Sequence, residues 1–215
     1  TELNAVFVSD WYSETDDLLL DESPSALEPG PGPAYAQVVP SGPGFETENN
    51  LRLFNHLIYN ANRRVVISSP YFVPDESLLH ALTTEAQAGV QIQLFVGETS
   101  DQFLAQHAQN SYYSELARAG VEIYRYSSPT VLHAKFVLVD DIVSVIGSSN
   151  MDERSFALDL EVSVMIVDHG FRERMEQIVE QFTAHSTRLD LDAWEKRSLG
   201  RKFVENVCRL TSGLL

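Results

Sequence analysis

The sequence predicts an α/β protein in which helices pack on a layered sheet within a single domain. Short apolar runs typical of buried strands alternate along the chain with longer segments whose apolar residues repeat at helical spacing. Alternation of this kind implies a sheet covered by helices. The chain has 215 residues, of which 44% are hydrophobic, and this is enough to bury one good core.

The first 34 residues differ in composition from the rest of the chain. After a short apolar run at residues 5–8, residues 23–33 contain so many Pro and Gly that they cannot hold a helix or a central strand. We therefore expect an N-terminal segment with a flexible linker at residues 1–34, followed by the folded domain at residues 35–215.

Within that domain, strand and helix patterns follow one another in order. Strands are predicted at residues 35–40, 65–69, 91–96, 121–126, around His133, and at 143–146 and 160–167. Helices are predicted at residues 46–62, 75–89, 101–119 and 171–184. The apolar residues in 201–215 leave three roles open, namely packing on the domain, docking of another domain, or contact with lipid.

The most informative pair of residues is His133 and Lys135, which lie two positions apart in an apolar run. On a strand both side chains would leave the same face. A neutral imidazole there can attack phosphorus, and the ammonium beside it can neutralise phosphate oxygens without a metal ion. Because an unpaired lysine is costly to bury, a bound anion is the economical explanation. Asp140 is an odd number of positions from both, so we interpret it as structural.

Three further polar residues follow on neighbouring elements. Gly147 ends the next predicted strand, where the missing Cβ allows a sharp turn. Ser148 and Asn150 then lie on a loop and can donate hydrogen bonds to phosphate oxygens. Glu161, on the last predicted strand, can orient the His133 ring and stabilise it when charged. Each residue taken alone has an ordinary alternative, as a core, turn or solvent-exposed residue.

Together these residues resemble the HKD motif of the phospholipase D superfamily in both type and spacing. The matching positions are His133, Lys135, Asp140, Gly147, Ser148 and Asn150. The resemblance implies a phospholipase D-like α/β/α domain at 35–215, with a mixed central sheet flanked by helices. It implies a catalytic group of His133, Lys135, Asp140 and Glu161, with Ser148 and Asn150 binding substrate. It also implies a phosphohistidine intermediate, formed without any metal or cofactor.

Longer stretches of the chain look like bacterial cardiolipin synthases. These stretches are residues 9–15, 38–43, 68–82 and 150–156, and the likeness runs nearly end to end. The chain resembles the second half of such an enzyme, which implies that another half carries a first HKD motif. Two departures stand out, Asp159 in place of a common Asn and Gly97-Glu98 in place of a Pro-containing turn. Either departure alters the choice of acceptor or merely marks a divergent member.

The resemblance implies that a phosphatidyl group is transferred between two phosphatidylglycerols, with release of glycerol. Two alternatives are a phospholipase D-type hydrolase, in which water is the acceptor, and a non-catalytic half that completes a partner. One motif supplies only one histidine, so the expected partner is a second HKD domain, from the same parent chain or from a homodimer. We expect the parent protein at the cytoplasmic face of the cell membrane and this 215-residue piece to be soluble.

Charge limits the choice of partners. A formal net charge of -16 argues against broad binding to nucleic acid and against simple adhesion to an anionic membrane. An anionic phospholipid would need local cations, for which the candidates are Lys135, Arg154, Arg197, Arg201 and Lys202.

Two smaller expectations concern apolar and sulfur-containing side chains. Tyr71, Phe72 and Pro74 can line a lipid-binding mouth, with core packing as an equal alternative. The single cysteine, Cys208, excludes a disulfide within the chain and is expected to be a buried bystander.

Overall fold

The computed structural model describes residues 2–19, 34–100 and 102–210. The helices are α1 Glu2–Thr15, α2 Asn49–Tyr59, α3 Glu76–Ala88, α4 Phe103–Ala119, α5 Glu153–Ala157, α6 His169–Ala184, α7 Leu191–Glu195 and α8 Leu199–Arg209. The strands are β1 Tyr35–Ser41, β2 Arg64–Ser68, β3 Phe72–Val73, β4 Gln91–Gly97, β5 Glu122–Tyr126, β6 Phe136–Val139, β7 Val143–Gly147, β8 Met151–Asp152, β9 Glu161–Val167 and β10 Ser186–Arg188.

Eight strands form one mixed sheet in the order β1-β9-β7-β6-β2-β4-β5-β10. Strands β2, β4 and β5 are parallel to one another, whereas β6, β7, β9 and β1 continue the sheet with antiparallel pairings. The direction therefore changes at β2, which pairs in parallel with β4 and antiparallel with β6. Strands β3 and β8 form a separate two-stranded parallel pair.

Helices cover both faces of the sheet, and successive strand residues supply the two cores alternately. On β2, Val65 and Ile67 join the larger core with α2, α3 and α4, while Val66 joins a smaller core on the opposite face. Met175 and Val179 of α6 complete that smaller core. This period-two alternation is what a strand buried on both faces requires. The predicted α/β/α domain with a mixed central sheet is confirmed.

Local signals explain where the helices begin and end. The Asp75 carboxylate accepts hydrogen bonds from the backbone N–H groups of Ser77 and Leu78, so it caps α3 as its position predicted. Gly89 ends that helix with a φ of 104°, a conformation that glycine adopts without strain. The predicted helix at 46–62 is shorter in the structure, because α2 covers only Asn49–Tyr59.

The N-terminal part of the chain contains a helix that was not predicted from the sequence. Helix α1 has no buried residue, and Glu2 joins it to the sheet by accepting a 3.2 Å hydrogen bond from the backbone N–H of Val38 on β1. The predicted flexible linker at residues 23–33 lies outside the described residues. The division of the chain between residues 34 and 35 stays a prediction.

Helix α8 packs on the domain through one face, so the first of the three roles open to residues 201–215 holds for its described part. Glu205 and Cys208 are buried on that face, and Arg197 donates a 2.5 Å hydrogen bond to Glu205. The opposite face leaves apolar side chains exposed, among them Leu199, Phe203 and Leu210. Residues 211–215 lie outside the described part of the chain.

None of the helices in residues 2–19, 34–100 and 102–210 combines the length and the apolar character needed to cross a bilayer.

Candidate active site

His133 and Lys135 lie in an irregular segment immediately before β6, not within a strand as predicted. Two contacts hold this segment at the end of the sheet. The hydroxyl of Ser68 donates a 2.9 Å hydrogen bond to the carbonyl oxygen of Ala134, and the N–H of Gly147 donates one of 3.3 Å to that of Lys135. The backbone is therefore held on both sides by neighbouring strands, although the strand ladder itself begins only at Phe136.

The two side chains meet on the same side of this segment, as their spacing predicts. The Lys135 Nζ atom lies 3.3 Å from His133 Nε2 and 3.0 Å from the carbonyl oxygen of His133. An ammonium group can only donate, so the unprotonated nitrogen of a neutral His133 ring in this arrangement is Nε2. The lone pair suited to attack phosphorus therefore stands beside a positive charge that can bind the phosphate oxygens.

Glu161 lies at the start of β9, and among the described residues its carboxylate accepts hydrogen bonds from Ser148 and Ser155 and not from the His133 ring. The Ser148 hydroxyl donates to the Glu161 carboxylate and accepts a 3.0 Å hydrogen bond from the N–H of Val162. Its single proton is therefore already engaged in this structure. The orienting role of Glu161 and the substrate-binding role of Ser148 both stay predictions.

The charges around Lys135 form a small coupled group with Glu161 and Asp152. Burial lowers the pKa of Lys135, against the attraction of the Glu161 and Asp152 carboxylates. Burial likewise raises the pKa of Glu161, opposed by hydrogen bonds from Ser148 and Ser155 and reinforced by the negative charges of Asp159 and Asp152. A phosphate bound here would contact the partly desolvated ammonium of Lys135, whose charged form is favoured by the two nearby carboxylates.

Asp152 is a residue of this site that was not identified from the sequence. It is 6% exposed, caps α5 through a 2.7 Å hydrogen bond from the N–H of Ser155, and has its pKa raised by burial. Asn150 lies within hydrogen-bonding reach of the same carboxylate, and its own Oδ1 atom is buried without a partner among the described residues. The helix-capping pattern Asp-x-x-Ser at 152–155 was the available signal, but it indicates a cap and not a charge near Lys135.

Asp140 does not join this group, because it follows the far end of β6. Its carboxylate accepts backbone hydrogen bonds from Asn62, Arg63 and Arg64 at 2.9–3.0 Å, and its φ is 48°. Although burial acts to raise the pKa of Asp140, these hydrogen bonds outweigh it and lower the pKa. Its grouping with the catalytic residues stays a prediction. The carboxylate fixes the backbone where the chain enters β2 at Arg64, in agreement with the structural interpretation drawn from strand alternation.

We expect Asp140→Asn to destabilise the fold by about 1–2 kcal/mol at neutral pH, because three backbone donors lose a charged acceptor that solvent partly screens. Asparagine tolerates the positive φ and keeps one of the two accepting oxygens, so the substitution removes the charge together with the other acceptor. The folded pKa is depressed, so the stabilisation is complete above the unfolded pKa and disappears as the pH falls through the folded value.

Urea unfolding at a series of pH values would test this expectation. Asp141→Asn is the matched control, because Asp141 is exposed and contacts only the exposed Arg63 side chain among its described side-chain partners. A difference between Asp140→Asn and the parent that persisted well below about pH 3 would contradict the charge-based explanation.

Gly147 is required by the close approach of β9, and not by the sharp turn expected from the sequence. A Cβ atom at this position would lie 2.5 Å from the carbonyl oxygen of Val162 and 2.7 Å from the Cα of Ser163. Gly147 pairs with Ser163 in the antiparallel register of β7 and β9. The missing side chain thus lets β9 bring Glu161 close to Ser148.

A cavity of about 330 Å³ opens beside His133. Its lining includes Tyr71, Gly97, Val131 and Leu132, with both apolar and polar surface. Of the three residues predicted either to line a lipid-binding mouth or to pack in the core, Tyr71 lines this cavity, whereas Phe72 and Pro74 are buried. A cavity with both apolar and polar surface, lined in part by the His133 imidazole, suits an amphipathic phosphodiester.

We expect Glu161→Gln to lower the pKa of Lys135 further, because the carboxylate is the main charge that opposes the effect of burial. The chain has only three lysines, Lys135, Lys196 and Lys202. Their ¹³C-dimethylated forms can therefore be followed separately by NMR during a pH titration. Lys196 and Lys202 serve as internal controls, and an unchanged Lys135 titration would show that Glu161 does not act on it.

Comparison with known proteins agrees with this geometry. The family model described as "Cardiolipin synthase, PLD-like domain" matches residues 54–185. Cardiolipin synthase A of Proteus mirabilis is 35% identical over the whole of this chain, and that of Yersinia pseudotuberculosis is 36% identical. In both cases the chain spans 45% of the relative's length, so it matches about half of each enzyme.

Solved structures show the same fold at low sequence identity. Phosphatidylserine synthase of Haemophilus influenzae superposes with a TM-score of 0.70 at 16% identity, over 96% of this chain and 52% of that protein. The phospholipase D family member Nuc from Salmonella typhimurium gives a TM-score of 0.62 at 19% identity, over 73% of this chain and 99% of that one. With its match to the family model over residues 54–185, this chain belongs to the cardiolipin synthase family of phospholipase D-like domains.

Proposed function

We propose that this chain is one catalytic half of a phosphatidyltransferase that makes cardiolipin from two phosphatidylglycerols and releases glycerol. The observation that carries the proposal is the 3.3 Å approach of Lys135 Nζ to His133 Nε2, beside a cavity of mixed polarity that His133 helps to line. A nucleophile and a cation at one phosphate-sized position support phosphodiester chemistry. The cardiolipin synthases at 35–36% identity support the choice of lipid.

In the proposed reaction, a histidine attacks the phosphorus of the first phosphatidylglycerol. A P–N bond forms, the P–O bond to the headgroup glycerol breaks, and the leaving oxygen takes a proton from a second histidine. A glycerol hydroxyl of the second phosphatidylglycerol then attacks phosphorus, returns its proton to that second histidine, and breaks the P–N bond. In both steps the Lys135 ammonium neutralises the negative charge on the equatorial phosphate oxygens, and Asn150 is proposed to donate a hydrogen bond to them.

The second histidine must come from another HKD domain, because His133 is the only histidine of the motif in this chain. A second half of the same parent protein or a second copy of this chain would supply it across an approximate twofold axis. Which of the two histidines attacks stays open, since they exchange roles across a symmetric site. The alternative is that this chain is a non-catalytic half, whose role is to complete the active site of a partner HKD domain.

We also propose that the site works at a membrane surface and not on nucleic acid. The net charge of -16 disfavours the binding of a polyanion such as nucleic acid. A bilayer, in contrast, can be contacted through a small apolar area of the protein. Apolar side chains are exposed on α8, including Leu199 and Phe203, and Val131 at the cavity beside His133 is 74% exposed. These residues support a lipid surface as the source of substrate.

The products formed from defined lipids test the proposal. The longest natural form of the protein would be incubated with phosphatidylglycerol vesicles, and the lipids identified by mass spectrometry. Cardiolipin with one equivalent of glycerol is the expected result. Phosphatidic acid alone would mean that water is the acceptor and the protein is a hydrolase, while no turnover would leave only the partner-completing role.

A further inference from the structure

A second cavity, of about 360 Å³, adjoins the one that contains His133. The two share Thr99 and Ser100, which follow β4, so they form neighbouring compartments at one end of the sheet. The second compartment lies between β5, α4, α7 and α8, and its lining includes Gln106, Arg125, Trp194 and Arg201. None of these four residues belongs to the HKD motif.

Three buried polar atoms on the residues that line this compartment lack hydrogen-bond partners among the described residues. Two are donors, Nε of Arg125 and Nε1 of Trp194, and the third is an acceptor, Oε1 of Gln106. The Trp194 side chain is 8% exposed and packs against Tyr113 and Arg197, so its position is fixed. Unpaired buried polar atoms are uncommon and costly, which points to a ligand that supplies the missing partners.

The charge of this region is locally reversed relative to the whole chain. Arg125, Arg197 and Arg201 lie close enough that Arg125 and Arg201 help lower the pKa of Arg197, although burial is the main cause. Among the described residues, two carboxylates oppose these three cations. Glu205 is buried and pairs with Arg197 and Arg201, and Glu98 lines the cavity 3.9 Å from Arg125. The compartment can therefore accept an anion in spite of the net charge of -16.

We propose that this compartment binds the phosphoglycerol headgroup of the second phospholipid. The inference rests on the proposed function and names the position of its acceptor substrate. Phosphate oxygens accept hydrogen bonds from Arg125 Nε and Trp194 Nε1, and a glycerol hydroxyl donates to Gln106 Oε1. A ligand that combines a phosphate with a hydroxyl group supplies partners for all three orphan atoms and also places its negative charge beside the arginines, which glycerol alone does not.

The position of the compartment suits an acceptor. In phosphatidylglycerol the terminal hydroxyl lies three carbon atoms from the phosphate, so a phosphate held beside the catalytic cavity leaves that hydroxyl free to reach it. Thr99 and Ser100 mark the shared wall across which the headgroup would extend. Glu98, at one of the departures from the family pattern, lies on this wall and can accept from the glycerol hydroxyls.

Tryptophan fluorescence gives a direct binding measurement, because the chain has two tryptophans and Trp11 lies outside the cavity, on the exposed α1. A Trp11→Phe variant of the whole chain leaves Trp194 as the single reporter. We expect saturable quenching or enhancement with sn-glycerol 3-phosphate, at least about tenfold weaker binding of inorganic phosphate, and none detectable with glycerol. No saturable change with sn-glycerol 3-phosphate would overturn the inference.

Variants in the Trp11→Phe background separate this compartment from its neighbour. Arg125→Gln should weaken sn-glycerol 3-phosphate binding at least about tenfold. Gln106→Met, on the partly exposed α4 surface, should reduce the preference for glycerol phosphate over phosphate and provides a second test if Arg125→Gln does not fold. His133→Ala should bind normally; loss of binding in that variant would place the ligand in the catalytic cavity and overturn the inference.

This binding test is independent of turnover. Headgroup binding without any cardiolipin production would support the proposed binding site and contradict the proposed reaction. Conversely, cardiolipin production by the parent protein combined with no binding in this chain would reject the compartment and leave the reaction standing.

Discussion

Substitution of His133 by alanine should reduce cardiolipin formation by the longest natural form of the protein by roughly 10³-fold or more, because the reaction loses either its nucleophile or its acid. The side chain is exposed and lies beside Lys135, so the fold should lose little stability. The initial rate of cardiolipin formation on phosphatidylglycerol vesicles is the measurement. Because Lys135 is retained in the variant, the measured loss reflects the missing imidazole and not the loss of the positive charge that binds phosphate.

His80→Ala is the matched control for this experiment. His80 is also exposed, lies on α3, and is not among the residues that line the cavity beside His133. It should leave the rate within about twofold of the parent, because exposed substitutions distant from a site rarely matter. If His133→Ala retained a comparable rate, this half of the protein would not carry the chemistry.

Gly147→Ala should destabilise the fold by about 3 kcal/mol or more, although it adds only one methyl group. The new Cβ would lie 2.5 Å from Val162 O and 2.7 Å from Ser163 Cα, and backbone atoms of a paired strand cannot rotate away as a side chain can. Separation of β7 from β9 would also move Ser148 away from Glu161. Thermal unfolding should show a Tm lower by roughly 10 °C in a chain of this size.

Gly200→Ala adds the same methyl group where nothing lies within 4 Å of the new Cβ. Gly200 is in the first turn of α8, so alanine should leave the stability unchanged or raise it by up to about 1 kcal/mol. Equal Tm values for Gly147→Ala and Gly200→Ala would contradict the close approach of β9 as the reason for glycine at position 147.

Most elements of the domain follow from short-range patterns. Val65, Val66 and Ile67 form a run that is typical of a strand buried on both faces, and β2 is such a strand. Helix α3 has its cap at Asp75 and its end at Gly89, where the sequence indicated them. The spacing of His133 and Lys135 likewise predicted that their side chains meet, although the segment that carries them is not a strand.

The remaining features depend on contacts between distant parts of the chain. Strand β10 has three residues, and its pairing with β5 is what makes it a strand. Helix α1 has no buried face, so no apolar periodicity could reveal it. Asp152 and Lys135 are 17 positions apart, and only the folded arrangement of the strands brings their charges together. The sequence separation of such pairs is too variable to appear as a motif.

The burial of Cys208 gives the protein a built-in reporter of local unfolding. It is the only cysteine of the chain, is 5% exposed, and lies on the face of α8 that packs against the domain. A thiol reagent can reach it only when α8 detaches, so the labelling rate measures the free energy of that opening. Because Glu205 and Arg201 belong to the same helix, each such opening also dismantles the cation cluster beside Trp194. Thiol protection and the integrity of that cluster should therefore rise and fall together.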